Sequence, residues 1–187
     1  MAQTPSNMLP LNTPAPHFEL MDTASDRLLA LPSLKGKKGT LIMFICNHCP
    51  FVLHVNPKLV ELAHSYQPKG IAFVAISSND VEHYPQDAPE RMKTTAKTLG
   101  YPFPYLYDAS QEVAKAYEAA CTPDFFLFDG QLKLVYRGQL DDSRPGNDKP
   151  LSGRDLVDAM DALLEGRPIS GNQKPSVGCN IKWKPHW

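Results

Sequence analysis

The chain has 187 residues, 42% of them hydrophobic and 21% charged, as in an ordinary globular domain. Nineteen basic against 20 acidic residues leave a net charge of -1, which favours neither nucleic acid nor a membrane surface as a partner. No stretch approaches the ~18 apolar residues of a membrane span, and the N-terminus lacks the basic start and apolar run of a secretory signal. We therefore expect a cytoplasmic protein, where four cysteines indicate catalysis or metal binding rather than a disulfide framework.

Strands and helices alternate along most of the chain. An extended N-terminal segment and a weak hairpin at 18–31 come first. Apolar runs then predict strands buried on both faces at 40–45 and 71–76. Further predicted elements are helices from Pro50 to about Tyr66 and from Pro89 to Leu99, a strand at 103–107, a helix from Asp108 to Tyr117, a hairpin of 125–128 with 132–137, and a helix from Ser152 to Gly166.

This order predicts one α/β domain with a parallel sheet core and an antiparallel hairpin at its edge. The single domain spans 1–187, with a core at about 10–166 and an irregular, Pro- and Gly-containing tail at 167–187. The tail also carries Val177, Ile181 and Trp183. Because a free tail has little reason to hold apolar residues, we expect it to fold back onto the domain.

A C-x-x-C motif, Cys46 to Cys49, lies between the first buried strand and the helix that begins at Pro50. In such sheets chemistry gathers at the carboxyl ends of strands, and a helix N-terminus stabilises an anion. A thiolate is the useful anion here, because it is the nucleophilic form of cysteine. We expect Cys46 to be the exposed thiol of lowered pKa and Cys49 to be shielded and to resolve the mixed disulfide.

The two residues inside the motif have predicted roles as well. A cation or hydrogen-bond donor at His48 would stabilise the thiolate and make the disulfide more oxidising; the alternative is a solvent-facing histidine without a role. Asn47 is either a turn residue or a contact for the substrate.

A second stretch begins at Cys121 and continues as Thr122-Pro123 into an apolar strand. Pro123 resembles the cis-proline of thioredoxin-like proteins. The Thr122 backbone is then expected to pair with an extended substrate segment, with Pro123 shaping the docking groove beside the thiols.

Four segments together carry a more specific resemblance: 44–52 (FICNHCPFV), 122–129 (TPDFFLFD), 136–147 (YRGQLDDSRPGN) and 173–184 (QKPSVGCNIKWK). They resemble the peroxiredoxin-like branch of the AhpC/TSA-type redoxin proteins, within the thioredoxin superfamily. The resemblance implies a thioredoxin-like fold, a central mixed sheet flanked by helices, with an N-terminal extension and a C-terminal tail. It also implies a redox role for Cys46 and Cys49.

The resemblance has a limit at the peroxide-binding motif. Peroxiredoxins place Thr or Ser three residues before the peroxide-attacking cysteine and Pro four residues before that. Relative to Cys46 these positions hold Met43 and Gly39, and relative to Cys49 they hold Cys46 and Ile42. Neither cysteine therefore has the peroxiredoxin pattern.

We conclude that thiol–disulfide exchange with protein or low-molecular-weight substrates is the favoured function, with an external thiol as reductant and no cofactor or metal. A thiol peroxidase using the same pair is the first alternative, and a soft-metal carrier is the second. Cys179 and Cys121 are candidate accessory thiols. For Cys179 the simpler reading is a small buried hydrophobic residue.

Overall fold

The computed structural model describes residues 3–185. Its strands are β1 (Gln3–Pro5), β2 (Glu19–Asp22), β3 (Arg27–Ala30), β4 (Gly39–Phe44), β5 (Ile71–Ser77), β6 (Tyr105–Tyr107), β7 (Cys121–Thr122), β8 (Asp124–Asp129), β9 (Leu134–Gly138) and β10 (Val177–Asn180). Its α-helices are α1 (Leu31–Leu34), α2 (Pro50–Tyr66), α3 (Pro89–Leu99), α4 (Glu112–Ala116) and α5 (Arg154–Glu165).

Seven strands form the central sheet, in the order β3-β2-β6-β5-β4-β8-β9. Strands β4, β5 and β6 pair in parallel, whereas β8 joins β4 and β9 in antiparallel pairs. The hairpin of β2 and β3 extends the other edge. The mixed α/β sheet predicted from the sequence is confirmed.

Strand β4 lies at the centre of this sheet and all six of its residues are buried. Because side chains alternate along a strand, Leu41 and Met43 pack on the face that holds α2, α3 and α5, and Ile42 and Phe44 pack on the opposite face. The second face is lined largely by aromatic rings around Tyr117. Burial on both faces is what the unbroken apolar run predicts.

Three short strands form a second, antiparallel sheet in the order β1-β10-β7. Strand β10 comes from the tail that the sequence predicts to be irregular, and β1 comes from before the expected core. The tail does fold back onto the domain, as its apolar residues indicate. This small sheet joins both ends of the described chain to the segment that precedes Pro123.

The helix expected from Asp108 begins later, at Glu112. Gln111 adopts a left-handed conformation with φ 65°, which excludes it from the helix. The Asp108 carboxylate still accepts a hydrogen bond from the Ala114 N–H at 2.9 Å, and it also accepts one from Ser78 Oγ at 2.8 Å. Within residues 3–185, no helix has both the length and the apolar character required to cross a membrane.

Candidate active site

Strand β4 and helix α2 position the two cysteines of the motif. Cys46 follows the strand after one further buried residue, and Cys49 is the N-cap residue of α2, whose first residue is Pro50. Proline suits this place because its missing N–H has no partner in a first helical turn. The helix therefore starts one residue after the second cysteine, and its positive end faces Cys49 rather than Cys46.

Both thiols are buried: Cys46 is 1% exposed and Cys49 is 0% exposed. The expectation that Cys46 is the exposed member of the pair is therefore wrong. In the turn between strand and helix, the Asn47 N–H donates to the buried Asp87 carboxylate at 2.8 Å.

Hydrogen bonds and the Asp87 charge favour the thiolate form at Cys49 over that at Cys46. Hydrogen bonds with Cys46, Cys179, Thr122 and the Val52 N–H lower the pKa of Cys49, although burial opposes them. The same bond to Cys49, burial and the Asp87 charge raise the pKa of Cys46 well above its usual range. The sequence predicts the reverse assignment. The difference does not come from the helix start, which the sequence also predicts at Pro50. It comes from the contact of Cys49 with Cys179 and from the Asp87 charge beside Cys46.

His48 lies close to the pair and contacts Asp87. Its Nδ1 is 2.7 Å from Asp87 Oδ2, and its ring stacks on Tyr84 at 6.0 Å between centroids. The side chain is 18% exposed and the carboxylate is fully buried. His48 is therefore not the solvent-facing histidine that the sequence also allowed.

Asn47 has its polar groups engaged within the protein. Its side-chain amide donates to the Gln86 carbonyl oxygen at 3.0 Å, and its side-chain oxygen accepts from Tyr105 Oη at 2.9 Å. These bonds fit the turn role that the sequence allows, and they leave little for a substrate to contact.

The peptide bond between Thr122 and Pro123 is cis, as the sequence predicts. The Thr122 carbonyl oxygen accepts a hydrogen bond from Cys49 Sγ at 3.3 Å, and Thr122 Oγ1 lies 3.6 Å from Cys46 Sγ. The segment before Pro123 therefore contacts both sulfur atoms.

The backbone edge at Thr122 is not free for a substrate segment. Strand β10 pairs with β7, with Cys179 opposite Thr122 and Asn180 opposite Cys121. The chain's own tail thus occupies the edge that the sequence assigns to an extended substrate.

The same pairing brings Cys179 to the site, where its Sγ lies 2.8 Å from Cys49 Sγ. Cys121 is turned elsewhere, and its thiol donates to the Pro123 carbonyl oxygen at 3.6 Å. Burial raises the pKa of the Cys121 thiol. Of the two accessory thiol candidates, Cys179 is the one in contact with the C-x-x-C pair.

Asp87 is the main residue that sequence reasoning missed. It ends a short 3-10 helix, Pro85–Asp87, in the connection between β5 and α3. Its carboxylate also accepts from Asn79 Nδ2 at 2.8 Å. Connections that follow parallel strands meet at one end of a sheet. An acidic residue in this connection could therefore have been predicted to lie near the C-x-x-C motif.

Three potential metal ligands meet at this point. Cys46 Sγ, a His48 ring nitrogen and an Asp87 carboxylate oxygen all lie within 4.8 Å of one another. Thiolate, imidazole and carboxylate are all ligands that Zn²⁺ accepts, normally as a set of four. The cluster would supply three of them.

Residues 11–137 match the AhpC/TSA family. The chain belongs to this family. No match was found among curated proteins.

Two solved structures resemble the whole chain of this AhpC/TSA protein. An uncharacterized conserved protein from Geobacillus kaustophilus is 60% identical, with a TM-score of 0.98 and coverage of 100% of this chain and 99% of the other. A hypothetical protein from Sinorhizobium meliloti is 49% identical, with a TM-score of 0.95 and coverage of 98% and 100%.

A more distant likeness confirms the thioredoxin-like fold. A putative thiol:disulfide interchange protein from Chlorobium tepidum is 17% identical, with a TM-score of 0.66 and coverage of 83% of this chain and 99% of the other. At that identity the likeness concerns the fold alone.

Proposed function

We propose that this AhpC/TSA protein is a thiol–disulfide oxidoreductase that uses Cys46 and Cys49 as its exchanging pair. The observation that carries the proposal is the placement of the pair between β4 and α2, in contact with Thr122 before a cis-proline. A thiolate of the pair attacks a substrate disulfide and releases one substrate thiolate. The second cysteine then attacks the mixed disulfide, releases the other substrate thiolate and leaves a Cys46–Cys49 disulfide. An external thiol reduces that bond.

The pKa directions favour Cys49 as the attacking sulfur, in the reverse order to the sequence expectation. Hydrogen bonds lower the pKa of Cys49, whereas the negative charge of Asp87 raises that of Cys46. Alkylation as a function of pH, with the modified cysteine identified by mass spectrometry, tests this order. Preferential modification of Cys46 near neutral pH would instead support the order expected from the sequence, in which Cys46 attacks.

A low-molecular-weight disulfide fits the site better than a protein substrate does. Both sulfur atoms are buried, and β10 occupies the edge with which an extended peptide would pair. We place the reaction in the cytoplasm, where low-molecular-weight thiols are abundant reductants.

Turnover of two substrates tests the proposal. We expect the protein to catalyse reduction of oxidised glutathione by dithiothreitol, and to act on insulin more slowly. Cys49→Ser should abolish turnover and Cys46→Ser should slow it, whereas Cys121→Ser, which replaces a cysteine outside the pair, is the matched control. Undiminished turnover in both of the first two variants would reject the proposal.

Peroxide reduction is the alternative that family membership favours. It predicts peroxide-dependent oxidation of the dithiol at least as fast as oxidation by a disulfide. Stopped-flow measurement with hydrogen peroxide and oxidised glutathione separates the two activities.

Metal binding is favoured by one observation, the cluster of Cys46, His48 and Asp87. It predicts stoichiometric metal in protein purified under reducing conditions, and loss of that metal in Asp87→Asn. Elemental analysis of both proteins tests it.

A further inference from the structure

Cys49 has two thiol neighbours. Cys46 interacts with it within the C-x-x-C turn, and Cys179 Sγ lies 2.8 Å from Cys49 Sγ. A disulfide bond is about 2.05 Å long, so less than 1 Å of movement separates the second contact from a covalent bond.

The tail that carries Cys179 is anchored on both sides of it. Before Cys179, Ser176 Oγ donates to the Pro123 carbonyl oxygen at 2.6 Å. After it, the Ile181 N–H donates to the Ala120 carbonyl oxygen at 3.1 Å, and the Lys182 N–H donates to Asn79 Oδ1 at 2.9 Å. Cys179 is therefore held beside Cys49 by ordered structure on either side, and it is itself only 3% exposed.

Gly178 permits this close approach. A Cβ atom added there would overlap the Thr122 carbonyl oxygen, the same oxygen that accepts the Cys49 hydrogen bond. A residue with a side chain at position 178 would hold β10 away from β7 and would separate the two sulfur atoms.

The electrostatic setting of Cys179 changes when Cys49 is oxidised. Burial raises the pKa of Cys179, a hydrogen bond to Cys49 and the Cys49 charge raise it further, and Lys182 opposes them. A disulfide at Cys49 removes the thiolate and both of its effects. Cys179 is thus easier to deprotonate in the oxidised state, which is the state in which a further nucleophile can react.

We propose that Cys179 is a third redox thiol, which takes over the disulfide from Cys46 by forming a Cys49–Cys179 bond. The inference rests on the proposed exchange at Cys46 and Cys49. Cys179 Sγ attacks Cys49 Sγ, the Cys49–Cys179 bond forms, and the Cys46–Cys49 bond breaks. Cys46 leaves as a thiolate and takes up the proton that Cys179 lost. One disulfide and one thiol exist before and after, so the step needs no oxidant beyond the substrate disulfide that formed the first bond.

Disulfide mapping tests the proposal on the full chain. Reduced protein is oxidised with oxidised glutathione, quenched with acid, alkylated and digested with trypsin. Cleavage after Lys58 puts Cys179 on a different peptide from Cys46 and Cys49, so a Cys49–Cys179 bond appears as a cross-linked pair. We expect this cross-linked pair in the wild type and as the main product in Cys46→Ser. Neither Cys49 nor Cys179 should be alkylated in the linked peptides.

The controls separate this inference from the proposed function. Cys121→Ser should retain the cross-linked pair and Cys179→Ser should lose it while keeping a Cys46–Cys49 bond. Cys46→Ser that holds glutathione on Cys49, with Cys179 still alkylated, would overturn the inference. A Cys179→Ser variant without any Cys46–Cys49 bond would instead contradict the proposed function. Because the wild type is mapped as well, the result does not depend on the folding of one variant.

Discussion

Asp87 sets the charge around the pair. Its carboxylate is fully buried, receives the Asn47 N–H, and lies 2.7 Å from His48 Nδ1. A negative charge here raises the pKa of Cys46, and the nearby imidazole is the group best placed to offset it. We therefore propose that His48 acts on the pair through Asp87.

His48→Ala should make the pair more reducing. Without the imidazole, the Asp87 charge acts more strongly on the dithiol and destabilises its thiolate form, which lowers the reduction potential. We expect a shift on the order of −30 mV, equivalent to about tenfold in the equilibrium constant. Titration in glutathione buffers measures it.

The double variant His48→Ala/Asp87→Asn is the control for this mechanism. Without the carboxylate, the reduction potential should recover most of what is lost in His48→Ala, because the charge that the imidazole offsets is then absent. A potential that remains at the single-variant value would show that His48 acts independently of Asp87.

The sequence predicts the identity of the pair better than its environment. Cys46, Cys49 and Pro123 are recognisable because strand, motif and helix start are local signals. Asp87 was missed because its contact with Asn47 joins residues 40 positions apart. The pKa order differs from the sequence prediction because the contact of Cys49 with Cys179 joins residues 130 positions apart and the Asp87 charge acts on Cys46.

At the level of elements, Gly178 controls how closely β10 approaches β7. In Gly178→Ala the new Cβ would overlap the Thr122 carbonyl oxygen. We expect a loss of stability of about 1–3 kcal/mol, the usual cost of overpacking. Cys179 should also be alkylated faster in the native protein. Thermal unfolding and native-state alkylation measure the two effects.

Gly171→Ala is the matched control in the same tail. An added Cβ at this position meets no atom of residues 3–185 within 4 Å. Its stability and alkylation rate should stay near the wild-type values. Equal effects of both substitutions would show that the tail is sensitive to any alanine rather than to the contact with Thr122.

Elements with strong local signals were predicted well and those formed by distant pairing were not. Helix α3 has the predicted bounds because Pro89 opens it and Gly100 ends it in a left-handed conformation. Strand β10 has only four residues, and its partners lie at 3–5 and 121–122. Nothing in its own sequence marks it as a strand, so only the apolar content of the tail indicated that it docks.

For the whole molecule, Asp124 links stability to pH. It follows the cis-proline, accepts a hydrogen bond from Ser6 Oγ at 2.7 Å, and has its pKa raised by burial from 3.8 to about 7. Below pH 4 the carboxyl is protonated in both folded and unfolded chains. Between about pH 4 and 7 it ionises in the unfolded chain first, so this group lowers stability as the pH rises.

Asp124→Asn should remove this contribution. At about 1.4 kcal/mol per pKa unit, the wild type should lose a few kcal/mol between pH 4 and 7 that the variant retains. Chemical denaturation across this range measures the difference. Asp158→Asn, at an exposed position of α5, should keep the wild-type slope. Parallel curves for wild type and Asp124→Asn would contradict the assignment.

The small sheet of β1, β10 and β7 also has a consequence for the newly made chain. Cys49 and its neighbour Cys179 are 130 residues apart, so the ribosome releases the first long before the second. At roughly 5–20 residues per second, the interval is about 6–26 seconds. During that time the nascent pair lacks the strand that later covers it, and it meets cellular disulfides in a form that the finished protein does not present.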